Sequence, residues 1–263
     1  MSEDTNITAI IYRFDPSRDS KPHYEKYEVP KQKGMRVMDV LEQISDIQGH
    51  SVAFRWFCGV KRCGTCAVNM NGKPILACWE EAPNELVLEP LSNFKVIRDL
   101  VVDRSEIDDA LVREGNVLER REPYTKFPEK VTHNEMKQAY PLIRCIDCLV
   151  CIGACPTMED GVRNHFKGPY SIVQAAKIDF DPRDRGNRKQ EFLNLGLEEC
   201  DECGECSKAC PNSIDVLEQA IRPARRKHDI GRKLYAVDPC HPTSDEQKRT
   251  ESFLRASADL TEP

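Results

Sequence analysis

Residues 145–156 read CIDCLVCIGACP, and residues 200–211 read CDECGECSKACP. Both are C-x2-C-x2-C-x3-C-P, and the second run repeats the first 55 residues later. Three cysteines so close in sequence reach three corners of one iron–sulfur cubane, while the cysteine ahead of proline serves the cubane of the other run. The spacing predicts Cys145, Cys148, Cys151 and Cys210 around a first [4Fe–4S] cluster. Cys200, Cys203, Cys206 and Cys155 then surround a second, which becomes [3Fe–4S] if Cys203 is not a ligand. The crossed ligation ties the runs together, so cluster assembly is expected to couple to folding.

A third set lies upstream. Cys58, Cys63 and Cys66 give C-x4-C-x2-C, with Cys78 more distant. This is the plant-type spacing for a [2Fe–2S] cluster. Two irons call for four soft thiolates on a loop that wraps the bridging sulfides. Gly59 and Gly64 let backbone approach closely, and Thr65 and Ala67 are small. Asn71-Gly72 reads as a hairpin turn, which returns Cys78 to the loop. Structural zinc also accepts four cysteines, but x4-x2 spacing around two glycines is atypical of it, and zinc leaves the two Cys-Pro steps unexplained. Cys240, in Asp238-Pro239-Cys240-His241-Pro242, reads as an ordinary free thiol. His23, His50, His133, His165, His228 and His241 show no Rieske-like pairing with cysteine. They read as surface or core residues, and the sequence leaves open whether His165 or His228 lies near a cluster.

Thirteen cysteines in 263 residues suit metal ligation better than a disulfide framework in a reducing compartment. The net charge of −6 gives no reason to expect nucleic acid or an anionic surface as partner. MSEDTN has no features of a signal peptide, and no apolar run is long enough to span a bilayer.

Three segments are expected: a [2Fe–2S] domain over 1–105, a two-cluster helical domain over 106–235 and a polar tail over 236–263. In the first, Ile7–Phe14 and His23–Val29 read as strands. Val37, Val40, Leu41, Ile44 and Ile47 form a helical stripe, and Leu86–Leu88 reads as a last short strand. Sheet plus one packed helix is an α+β solution. Val96, Ile97, Leu100 and Val101 fit one helix face, and the charged stretch Glu106–Arg121 reads as a connector. A helix near Asn212 is expected to bury Ile214, Leu217 and Ile221, then end or kink at Pro223.

A plant-type segment followed by two bacterial-type runs resembles the iron–sulfur subunit of the succinate dehydrogenase and fumarate reductase family. Asn69-Met70-Asn71-Gly72-Lys73-Pro74 leading to Leu76-Ala77-Cys78 looks like that family's approach to its fourth ligand, as does Cys155-Pro156-Thr157. The resemblance covers roughly residues 5 to 228. It implies a β-grasp ferredoxin domain followed by an all-α helical ferredoxin domain. It also implies a subunit that docks on an FAD flavoprotein and relays single electrons to or from a quinone. The place is then cytoplasmic, peripheral on the inner face of the cytoplasmic membrane. Two departures stand out. Cys203 completes a ligand set that many members leave incomplete. Met158-Glu159-Asp160 and Asp201 stand where the usual members carry quinone-site aromatics and a histidine, and acids suit a hydrophobic quinone pocket poorly. The far carrier is therefore a membrane-anchor subunit or a cysteine-rich carrier subunit.

No G-x-G-x-x-G follows a strand and no nucleophile–base pair stands out, so substrate chemistry is expected outside this chain. One alternative keeps the clusters but feeds a thiol- or heterodisulfide-linked or other flavin oxidoreductase. Another is a zinc module binding nucleic acid through Arg222, Arg225, Arg226 and Lys227, against which those residues read as a solvated helix end.

Overall fold

Alternation sets the first sheet. Ile7, Ala9 and Ile11 are fully buried on one face of β1 (Asn6–Arg13), and Ile10 is buried on the other. In this computed structural model, which describes residues 6–47, 51–120, 129–159, 165–233 and 245–261, β1 pairs antiparallel with β2 (His23–Pro30). The sheet continues with β3 (Ala67–Met70), β4 (Lys73–Leu76) and β5 (Glu85–Glu89) in the order β2-β1-β5-β3-β4, with β1 and β5 parallel. Asn71 and Gly72 both take positive φ, 51° and 76°, as a two-residue hairpin loop requires. Val37, Val40 and Leu41 are buried on α1 (Val37–Glu42), and Ile44 on the π turn Gln43–Ile47 that prolongs it. A mixed sheet with this helix is the β-grasp arrangement. Ile47's side chain lies outside the described residues.

The stretch read as a helix from Val96 to Val101 is a hairpin instead, β6 (Lys95–Arg98) and β7 (Val101–Asp103). Branched side chains at Val96, Ile97, Val101 and Val102 favour strand over helix. Asp99 takes φ of 44° at the turn, a conformation that Asp tolerates better than most residues. The charged connector is partly helical: α2 (Ser105–Arg113) buries Ile107, Ala110 and Leu111. Arg121 is outside the described residues.

The remaining helices are short: α3 (Val150–Gly153), α4 (Pro156–Glu159), α5 (Gly168–Asp179), α6 (Lys189–Asn194), α7 (Glu205–Ala209) and α8 (Arg222–His228). The sequence repeat is also a backbone repeat. A 3-10 turn precedes each run, at Leu142–Arg144 and Leu197–Glu199. Left-handed residues then recur at matching places, Asp147 and Leu149 in one run, Glu202 and Gly204 in the other. Pro223 does not end its helix, which runs on to His228. A π turn, Leu217–Ile221, runs into α8, and proline sits in the first turn of α8, where its missing N–H costs little.

The segment read as a polar tail contains α9 (Asp245–Thr261). Ala256 is buried against Ile10, Tyr24 and Val87, with Phe253 beside them. Buried Glu89 accepts hydrogen bonds from Tyr24 Oη at 2.5 Å, Ser252 Oγ at 2.9 Å and Arg255 Nη1 at 3.2 Å. The chain divides into two units. One is Met1–Asp103 with Ile146–Ala154 and Pro242–Pro263, the other Arg104–Cys145 with Cys155–His241. His50, Asp160, Cys240 and His241 lie outside the described residues.

Candidate iron–sulfur sites

The loop that carries Cys58 has little regular structure, so its backbone must be held by other partners. Asp99, 1% exposed, supplies several of these bonds. Its carboxylate accepts from Ala53 N at 2.8 Å, Phe14 N at 3.0 Å and Arg13 Nε at 3.1 Å. Arg13 Nη2 also donates to Ser51 O at 2.8 Å, and Leu100 N to Ala53 O at 3.1 Å. The β6–β7 hairpin thus anchors the strand-free approach to the first ligand.

Within the loop, Gly59, Lys61 and Gly64 take positive φ. This curls the backbone so that three N–H groups, of Val60, Arg62 and Cys63, point at Cys58 Sγ from 3.4, 3.2 and 3.3 Å. Those donors bring the Cys58 thiol down to about 6. Cys66 is pushed up to about 12 by burial and by its neighbours Cys78 and Cys63. The β3–β4 hairpin returns Cys78 as expected, with Ala77 N donating to Cys66 O at 3.0 Å. All four predicted cysteines therefore share one loop region with inward N–H donors, a fit for an anionic sulfur cluster. Exposed apolar side chains flank its ligands in sequence: Trp56 is 51% and Phe57 82% accessible, and Val60 and Trp79 are exposed too. Lys61 Nζ stands 4.9 Å from the Trp79 ring centre.

Cys155, Cys200, Cys203 and Cys206 line one partly enclosed pocket, walled by Phe166, Pro169, Leu217 and Ile221. Glu202 N donates to Cys200 Sγ at 3.4 Å. Burial, together with the neighbouring thiols, pushes Cys155 up to about 12 and Cys206 well above the ordinary range. Burial raises Cys200 to about 11. Three buried thiols that resist ionising, with Cys203 on the same wall, suit a polynuclear iron core, whose positive charge stabilises thiolates.

Of the other set, Cys145 and Cys210 lie in the second unit. Asn212 Nδ2 donates to Arg144 O at 2.6 Å and Arg144 Nη2 to Ser213 O at 3.1 Å, tying their flanking residues together. Cys145 Sγ accepts from Gln174 Nε2 at 3.5 Å and Cys210 Sγ from Ile214 N at 3.4 Å. Cys148 and Cys151 fold with the first unit. There a Cβ on Gly64 would stand 2.3 Å from Ile146 O and 2.9 Å from Cys148 Cα, so two ligand loops meet backbone to backbone.

Sequence reasoning missed the roles of Asp99, Arg13 and Gln174, because each acts from far along the chain. In the basic patch Arg226 and Lys227 are exposed in the last turn of α8, as a solvated helix end implies, but Arg225 is buried. Arg222 and Arg225 bond to Glu202, and Lys227 Nζ to Asp179 at 2.8 Å. Asp201, buried, pairs with Arg232 at 3.0 Å. His228 bonds Asp179 at 3.0 Å and packs on Phe192.

Residues 8–109 match the model of a 2Fe-2S iron-sulfur cluster binding domain, and 144–215 that of a 4Fe-4S dicluster domain. One component of the fumarate reductase (CoM/CoB) of Methanothermobacter marburgensis is 36% identical over 219 residues, 83% of this chain and 44% of that protein. The chain likewise spans less than half the length of two other archaeal iron–sulfur proteins it matches. The fumarate reductase iron–sulfur subunit of Haemophilus influenzae is 31% identical over 233 residues, 82% of this chain and 90% of that one. A chain of the Mycobacterium smegmatis Sdh1 complex shares the fold, with a TM-score of 0.79 at 24% identity over 86% of this chain and 96% of its own.

Proposed function

The chain belongs to the family of fumarate reductase and succinate dehydrogenase iron–sulfur subunits, and from that premise we propose that it relays single electrons between an FAD flavoprotein and a carrier subunit. The observation that carries this reading is the cavity lined by Cys155, Cys200, Cys203 and Cys206. These four hold the second cubane; Cys145, Cys148, Cys151 and Cys210 hold the first; Cys58, Cys63, Cys66 and Cys78 hold the [2Fe–2S] cluster. A full thiol set at Cys203 favours [4Fe–4S] over [3Fe–4S] in the last site. When bound, the clusters supply one-electron redox chemistry. The chain's own work is to hold and tune them: N–H groups aimed at Cys58 Sγ offset the charge on sulfur, and Phe166, Leu217 and Ile221 keep water from the last site.

The flavoprotein sits on the rim of the first loop. Exposed Trp56, Phe57 and Trp79, flanked by Arg36, Lys61 and Arg62, have the aromatic and basic composition of a protein interface. Succinate and fumarate chemistry belongs to that partner.

Asp201, buried in an ion pair with Arg232, favours a far carrier other than a quinone held directly against this chain. A second reading follows from the CoM/CoB designation and greater length of the M. marburgensis relative: a thiol- or heterodisulfide-linked carrier lies at the far end. Among the described residues no helix is long and apolar enough to cross a membrane. Attachment to the inner face of the cytoplasmic membrane would come through a partner.

Anaerobic iron and sulfide quantitation with electron paramagnetic resonance tests the assignment. One [2Fe–2S] and two [4Fe–4S] clusters give about ten irons per chain. Cys203→Ser should convert or destabilise only the last cluster. About nine irons with an oxidised [3Fe–4S] signal in the unaltered chain would exclude Cys203 as a ligand. Co-purified flavoprotein that turns over neither succinate nor fumarate with a dye would overturn the succinate and fumarate reading and leave another flavin oxidoreductase, while fumarate reduction driven by a thiol donor would favour the second reading.

A further inference from the structure

The loop that carries Cys200 and Cys203 is rich in acid. Glu199 and Asp201 have side chains only 2% exposed, and Glu202 lines the cavity itself. Carboxylates beside a cluster disfavour the extra electron of its reduced state, and low dielectric strengthens the effect.

Cations answer these acids, but unequally. Arg222, Arg232 and Lys233 have side chains 40–49% exposed, so solvent and salt weaken their fields. Arg225, on α8, is 7% exposed. Its Nη2 donates to Leu197 O at 2.7 Å and Cys200 O at 2.8 Å, and its Nη1 to Glu202 Oε1 at 2.6 Å. The guanidinium therefore grips the first ligand's own peptide and the acid two residues on. A guanidinium is a permanent cation in proteins. Cys145 holds the corresponding place in the other run, and a neutral amide, Gln174 Nε2, lies 3.5 Å from its sulfur. The two runs share spacing and backbone and differ in this electrostatic partner.

We infer that Arg225 is the positioning residue that sets the reduction potential of the last cluster, its buried charge offsetting Glu199, Asp201 and Glu202 and so favouring the reduced state. The inference rests on the ligand assignment above. It distinguishes the last cluster from the first cubane by a charge on the protein, not by cluster type or ligand set. It also explains why α8 continues past Pro223: stopping there would leave the loop's acids without their buried cation.

The test is an anaerobic potentiometric titration of the full chain, followed cluster by cluster with electron paramagnetic resonance. Arg225→Gln removes the charge and keeps a donor. It should shift the last cluster's reduction equilibrium about tenfold toward the oxidised form, which is about 59 mV for one electron, with the other two clusters unmoved. Arg225→Lys keeps the charge and should recover most of that shift. Glu202→Gln should move the last cluster the opposite way. If Arg225→Gln fails to retain the cluster, the lysine and Glu202 variants decide. A Glu202→Gln potential that is unchanged or lower overturns the inference. So does an Arg225→Lys potential as low as that of Arg225→Gln, or a common shift of all three clusters. An unaltered chain with irons for only two clusters overturns the ligand assignment itself, and the iron count reports that separately.

Discussion

Gly64 shows how much a single missing side chain decides. It takes φ of 71°, and Ile146 and Cys148 fill the place where a Cβ would stand. Gly64→Ala therefore meets two costs together, about 1–2 kcal/mol for a left-handed non-glycine residue and a displacement of backbone that has no flexible end to yield. Denaturant titration should show a loss of at least about 2 kcal/mol, and visible circular dichroism should show reduced [2Fe–2S] loading. A variant with the stability and spectrum of the parent would mean that the two loops do not meet as described. Gly59, also left-handed, has open space at the same position. Its alanine variant should cost only the conformational part. Leu149 offers a contrast. It takes φ of 63° with a full side chain, at the place that Gly204 holds in the second run, and its burial offsets a strain that glycine avoids.

Among elements, the β6–β7 hairpin links fold to site. Its turn residue Asp99 gathers donors from the end of β1 and from the approach to Cys58. Asp99→Ala takes the acceptor from Arg13 Nε and two peptide N–H groups, while Arg13 keeps Glu25 and Ser51 O; at about 1–3 kcal/mol for an unsatisfied buried group, the loss is roughly 2–4 kcal/mol. Asp99→Asn keeps one acceptor oxygen and tolerates positive φ, so it should cost less. Urea unfolding and [2Fe–2S] absorbance should rank the parent, the asparagine and the alanine variants in that order, and an alanine variant equal to the parent would refute the anchor. This hairpin was not legible beforehand, because Val96, Ile97, Leu100 and Val101 satisfy helical spacing as well as two short strands separated by a turn. What decides is Asp99's partners, which lie some 46 and 85 residues away. α9 was hidden for a related reason. Its apolar residues are few, and the sheet face of Ile10, Tyr24 and Val87 that it covers is made from distant strands.

Across the molecule, stability is divided unevenly. The sheet unit buries a continuous apolar set through Ile7, Ile11, Leu41, Leu86 and Leu88. Helices α3, α4 and α7 have four, four and five residues, far below the dozen or so that an isolated helix needs. Their order is expected to come from neighbours and from the proposed clusters. Removing iron with a chelator under anaerobic conditions should abolish amide exchange protection around 145–156 and 200–211 while β1 and β5 remain protected. Uniform protection after iron removal would show that cluster binding and folding are independent. A uniform loss would show that the sheet depends on the clusters too.

Cysteine spacing alone pointed to three proposed ligand sets and, with them, to the order of the two domain types and the family, because ligation is local and its geometry is written in short intervals. Period and turn chemistry added β1, β2, α1 and the Asn71-Gly72 hairpin for the same reason: neighbours in sequence set them. Tertiary structure alone decided that Asp99 holds the Cys58 loop, that Gly64 backs onto Cys148, that α9 belongs to the sheet, and that Arg225 stands buried against Cys200. Each of these depends on a hydrogen bond, contact or charge between residues distant along the chain, which no interval in the sequence encodes.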